Sequence, residues 1–179
     1  MSDGMSANGT AKNYVSYSDG FKNFIRSKSA SPSLNLGCGA LKIGTVNVDI
    51  DESCNPEFVF DLEKPPYPFE PGSFKTIIAL DVFEHLHGIE NVIGECKRLL
   101  ASSGSLIIAV PHKKSKYYTH GEHVNFFTEE NLKEMLSGFD IRFLNYRGDT
   151  RNMPVSLSLL LGKIKPNKIV CIARKKKSG

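Results

Sequence analysis

The run Leu34-Asn35-Leu36-Gly37-Cys38-Gly39 sets two glycines one residue apart directly after an apolar stretch. Glycine at the end of a strand lets the backbone turn sharply and lets a ligand approach it closely. The next apolar run ends in Val48-Asp49-Ile50-Asp51, which puts Asp49 or Asp51 where a carboxylate can accept both hydroxyls of a ribose. A third run ends in Asp61-Leu62, near where a purine would lie. Three strand ends aligned in this way point to an adenosine. From Gly37 to Asp49 is 12 positions, against roughly 20 after a dinucleotide glycine motif. A full helix hardly fits that interval, and without one a pyrophosphate loses its best anion site. S-adenosylmethionine has no phosphate and needs only close backbone approach around its methionine part. The spacing therefore favours the methyl donor over a dinucleotide-dependent oxidoreductase.

Methyl transfer is an in-line displacement at a sulfonium carbon, so the enzyme must place a nucleophile and, for a hydroxyl, supply a base near neutral pH. Histidine is the natural candidate. His85 lies in Phe83-Glu84-His85-Leu86, and His112, His120 and His123 lie in a loop over 111–127 expected to cover the substrate. His123 is the first choice for base or acceptor ligand, with His85 second. His112, His120, Glu122 and His123 also offer metal-ligand chemistry, but no helical i, i+4 pairing fixes their geometry, so no metal site is expected. Lys113, Lys114 and Lys116 with Tyr117 and Tyr118 could grip a phosphate or an RNA backbone; solvated loop lysines are the commoner outcome.

The elements that must position these groups follow from periodicity. Apolar runs at 33–37, 45–50, 57–62, 75–82 and 105–111 read as buried parallel strands. Before them, Phe21, Phe24 and Ile25 form the stripe of a short helix capped by Ser18 or Asp19. Between the fourth and fifth runs, Ile89, Val92, Ile93, Cys96, Leu99 and Leu100 share one face of a crossover helix, with Gly104 as its expected C-terminal cap. Thr128 caps a further helix whose first turn carries two glutamates and whose Leu132, Met135 and Leu136 face inward. The run 168–174 alternates enough to be a last strand. Strands alternating with helices give an open, mostly parallel sheet with helices on both faces and a ligand site beyond the carboxyl ends of the strands.

Together, LNLGCG, VNVDID, FDLEKPPYPFEPGSFKTIIALDVFEHL and ECKRLLASSGSLIIAVP, followed by HVNFFTEENLKEML, resemble class I S-adenosylmethionine-dependent methyltransferases of the methyltransferase type 11 group. The resemblance implies a Rossmann-like three-layer sandwich whose seven-stranded sheet runs in the order 3-2-1-4-5-7-6 with strand seven antiparallel. It would make 140–147 strand six and 168–174 strand seven. It also implies that Gly37, Cys38 and Gly39 line the methionine part, that Asp49 holds the ribose and that Ile50 packs on adenine. Asp61 and Leu62 would then meet the adenine edge, and Leu80 and Asp81 would border the amino group and the methyl-transfer position. In relatives the Glu84-His85 pair helps shape the pocket. Asn35 stands where many relatives have an acid and Ala40 replaces a third glycine, which blurs the methionine contacts.

The chain has 179 residues, enough for one medium domain, expected over 13–179 behind a disordered stretch at 1–12. No run approaches the roughly 20 apolar residues of a membrane helix, and the start has no apolar signal core. Cys38, Cys54, Cys96 and Cys171 form no C-x-x-C pair, which suits thiols in a reducing compartment, so a cytoplasmic protein is expected. Residues 1–110 carry 9 Lys/Arg against 13 Asp/Glu and residues 111–179 carry 14 against 6, so the second part is basic by 8 charges. That asymmetry would concentrate an anionic acceptor near the site. The expectation is a monomer or homodimer that methylates oxygen or nitrogen of a small or glycan-linked, acidic acceptor. Two readings stand beside it: a non-catalytic module binding S-adenosylmethionine or S-adenosylhomocysteine, and an RNA methyltransferase.

Overall fold

The computed structural model describes residues 17–113, 115, 118–119, 121–144 and 168–176. The expected disordered stretch and the ambiguous run around Asn152-Met153-Pro154 lie outside them. Seven strands form one sheet: β1 (Ser33–Leu36), β2 (Val46–Asp49), β3 (Phe58–Val59), β4 (Phe74–Leu80), β5 (Leu100–Pro111), β6 (Phe139–Leu144) and β7 (Lys168–Lys175). Their order is β3-β2-β1-β4-β5-β7-β6. The first five pair in parallel, and β7 runs antiparallel to both β5 and β6. This is the expected topology.

Every residue of β1 is buried because the sheet is covered on both faces. Alternation along the strands sorts the core. Ile78 and Leu80 of β4 and Ile107 and Ala109 of β5 pack against Phe21 and Ile25 of α1 (Asp19–Lys28). Leu34, Leu36, Ile77, Leu106 and Ile108 face the other way, toward α2 (Ile89–Leu99) and α3 (Glu129–Met135). Each such fully buried Leu or Ile contributes about 1.5–3 kcal/mol. Replacing Ile25, which has no exposed surface, by alanine would remove about 2–5 kcal/mol.

Ser18 caps α1, its Oγ accepting the Phe21 N–H at 3.3 Å. Thr128 caps α3 in a reciprocal box with Asn131. The expected cap at Gly104 is corrected: α2 stops at Leu99, Leu100 closes it by donating its N–H to Cys96, and β5 begins there, so Gly104 lies inside a strand. The alternation of 57–62 also overestimates β3. Only Phe58 and Val59 join the sheet, both exposed at its edge, and Asp61 sits beyond the strand.

Candidate active site at the strand ends

The first part of the site is the turn after β1. Gly37 and Gly39 both hold left-handed backbone, with φ of +57° and +47°. A Cβ on Gly37 would also meet Val82 Cγ2 at 2.6 Å, so both backbone angle and space demand glycine there. The Cys38 N–H continues the pairing of the two strands by donating to the Val48 carbonyl at 2.9 Å. Asp49, at the tip of β2, is buried and accepts the Gly39 N–H on Oδ2 at 2.7 Å and the Asp51 N–H on Oδ1 at 2.9 Å. One carboxylate thus fixes both turns, and its remaining lone pairs are available to a ligand. Beside it Ile50 is 63% exposed, an apolar side chain with nothing packed on most of its surface.

Behind the turn, Asn35 and Asn47 face each other across β1 and β2 and bond at 3.1 Å. The Asn35 amide also donates to the Leu41 carbonyl at 2.7 Å, and Asn47 Oδ1 accepts the Ile43 and Gly44 N–H groups at 3.1 Å. The asparagine that departs from the family pattern is therefore committed to holding the loop. Burial raises the Cys38 thiol pKa, with Lys42 acting against it.

Past β3, Asp61 Oδ1 accepts the Glu63 N–H at 2.9 Å, which lowers the pKa of this partly exposed carboxyl. Leu62 is buried, and its carbonyl accepts the Tyr67 hydroxyl at 2.6 Å. Glu63 then receives the Gly88 N–H at 2.6 Å, tying this loop to the start of α2.

The densest chemistry lies after β4. Leu80 is buried, and Asp81 has φ +52°, an uncommon conformation for a residue with a side chain. Its N–H is held by the Ala109 carbonyl at 2.8 Å. Its carboxylate accepts the Tyr17 hydroxyl at 2.6 Å and pairs with Lys168. Burial, followed by the Asp81 charge, drives the Tyr17 pKa well above the ordinary tyrosine range. Phe83–His85 is a single 3-10 turn. Within it Glu84 is buried, and neither carboxylate oxygen has a hydrogen-bond partner. Burial, with the neighbouring Asp81 charge, pushes its pKa up to about 8.

The segment before α3 docks on this turn. The Glu84 carbonyl accepts the Val124 and Asn125 N–H groups at 2.8 and 3.1 Å, and the Asn125 amide donates to the Phe83 and Leu86 carbonyls. His85 and His123 are thereby brought edge to face, with ring centroids 4.9 Å apart. The two histidines singled out in the sequence therefore meet, whereas His112 lines a separate cleft with Thr128 and Ile169, and His120 lies outside the described residues. Sequence reasoning missed Tyr17 and Lys168 as the partners of Asp81. Their separations of 64 and 87 positions leave no local signal.

A sheet in this order, with a glycine turn after β1 and a buried carboxylate after β2, is the Rossmann-like architecture of class I methyltransferases. Residues 34–144 match the family model described as a methyltransferase domain, and the chain belongs to that family. It is a methyltransferase, and its cofactor is S-adenosylmethionine. No curated protein sequence matches it significantly. Among solved structures it is similar to an S-adenosylmethionine-dependent methyltransferase from Archaeoglobus fulgidus, at TM-score 0.60 and 16% identity over 86% of this chain and 94% of that one. It is also similar to one from Mesorhizobium loti, at TM-score 0.63 and 14% identity over 86% and 96% of the two chains. No helix among the described residues is long and apolar enough to cross a membrane.

Proposed function

We propose that the turns after β1, β2 and β3 hold S-adenosylmethionine and that the groups after β4 and before α3 present an acidic acceptor to it. The observation that carries this reading is the Asp49 carboxylate, buried at the tip of β2 and bonded to the Gly39 N–H, with exposed Ile50 beside it. Gly37, Cys38 and Gly39 line the methionine part, Asp49 takes the ribose hydroxyls, Ile50 packs on adenine, and Asp61 and Leu62 meet its edge. The residues fit the group: the turn offers backbone where a side chain would intrude, and an apolar surface lies next to a carboxylate with lone pairs to spare. When bound, the cofactor supplies an electrophilic methyl group on a sulfonium.

Leu80 and Asp81 border the amino group and the point of transfer. Tyr17 and Lys168 hold the Asp81 side chain in one place, so this edge of the site is set before any ligand arrives. His123 and His85 serve the acceptor, His123 as base or ligand. The basic excess of 111–179 favours an anionic acceptor carrying a hydroxyl or amine, in a reducing compartment that keeps the four free cysteines reduced. Residues 13–179 act as one domain.

Incubating the protein with methyl-labelled S-adenosylmethionine and a panel of acidic sugars, nucleotides and RNA tests this. The expected result is label in an acidic small molecule, lowered by His123→Ala without loss of cofactor affinity. Label in RNA alone would replace the acceptor class, and label in none of them would favour a non-catalytic binding module.

A further inference from the structure

The chain holds a cluster that methyl transfer does not itself require. One ligand atom from each of Glu84, His85 and His123 lies within 4.8 Å of the other two. We infer that these three residues bind a divalent transition-metal cation at the acceptor end of the site.

Three observations converge. Glu84 is 1% exposed, and neither carboxylate oxygen meets a donor. A buried carboxylate without partners is costly, and a cation is the partner that such a group accepts. Next, each imidazole is already oriented through its other nitrogen. His85 Nδ1 lies 3.1 Å from the Glu122 carbonyl and His123 Nδ1 lies 3.3 Å from the Tyr118 carbonyl. A carbonyl oxygen only accepts, so both Nδ1 atoms carry a proton, which makes Nε2 the nitrogen of each ring that can meet a metal. That backbone support is what fixes the tautomer of metal-binding histidines. Finally, the exposure is graded, with Glu84 at the floor, His123 half-buried and His85 exposed, so the cluster opens toward solvent on one side.

Two imidazoles and one carboxylate suit zinc, iron or cobalt and leave coordination positions open. Ligands around one such ion stand about 3–4 Å apart at bond lengths near 2.1 Å, so the cluster need close by only about an ångström. The protein's two turns, Phe83–His85 and 122–125, are locked together by the bonds of Val124 and Asn125, which keeps the ligand-bearing segments adjacent. This differs from the sequence expectation of no metal. It also differs from the set weighed there, because Glu84 and His85 replace His112, His120 and Glu122. An acceptor oxygen entering an open position would be polarised and would lose its proton to solvent more readily.

The untagged full chain, stripped with a chelator and dialysed, is titrated with Co2+ while the visible d–d absorption is followed. The expected result is a band that saturates at one equivalent, with affinity at least tenfold weaker in His85→Ala, His123→Ala and Glu84→Gln and unchanged in His112→Ala. Absence of a saturating band, or equal affinity in wild type and His85→Ala, would overturn the assignment. His85 is exposed, so its replacement leaves the core intact and decides the matter even where the other variants unfold. The titration needs no methyl acceptor or donor, so its outcome is independent of the methyl-transfer reading.

Discussion

Gly39 donates its backbone N–H to the Asp49 carboxylate at 2.7 Å, joining the tips of the first two strands. The same carboxylate is assigned to the ribose, so anchoring of the loop and binding of the ligand share one group. Asp49→Ala should weaken S-adenosylhomocysteine binding by about 1–3 kcal/mol, roughly 5- to 150-fold. Calorimetric titration of the variant measures it. Unchanged affinity would move the ribose to Asp51.

Gly37 combines a φ of +57° with a Cβ position 2.6 Å from Val82 Cγ2. Gly37→Ala should lower stability by about 1–3 kcal/mol, read as a lower urea midpoint at constant slope. Gly121 has nothing within 4 Å of its Cβ position, so Gly121→Ala should leave the midpoint in place. Equal midpoints for the two variants would contradict the close packing of the turn on Val82.

Tyr17 and Tyr67 both have pKa values raised above the ordinary range, each first by burial. The fold keeps their protons where the unfolded chain releases them, so stability falls as pH rises through about 10 and beyond. In a spectrophotometric titration to about pH 11, Tyr17→Phe and Tyr67→Phe should leave the phenolate signal of the native protein unchanged. A smaller signal in either variant would mean that its tyrosine ionises in the fold.

Cys96 and Cys171 are buried, and burial pushes both thiols up to about 12. Cys38 is buried as well, which leaves Cys54 as the cysteine within reach of solvent. A thiol reagent at neutral pH should label one cysteine quickly, and Cys54→Ser should abolish that fast phase. Fast labelling that survives Cys54→Ser would show that a second thiol opens.

Most of the sheet was legible because its central strands are buried on both faces and read as continuous apolar runs, as Ile77–Leu80 and Leu106–Val110 do. What failed was at the margins. The alternation around Phe58 suggested a strand over 57–62, whereas only Phe58 and Val59 pair with β2. Gly104 looked like a helix stop because glycine serves both caps and irregular strands, and only the register slip between β4 and β5 tells them apart. The glycine turn and Asp49 were legible because strand and loop carry them within 12 positions. The companions of Asp81 were not, since Tyr17 precedes α1 and Lys168 opens β7, and only the strand order brings them together. His85 and His123 were named separately; their meeting depends on Asn125 bonding to Phe83 and Leu86.

The most direct test of the cofactor site is isothermal titration of the folded protein with S-adenosylhomocysteine, run beside NAD. One-to-one micromolar binding of S-adenosylhomocysteine with no heat from NAD is the predicted result. NAD binding without S-adenosylhomocysteine binding would contradict the assignment of the strand-end residues.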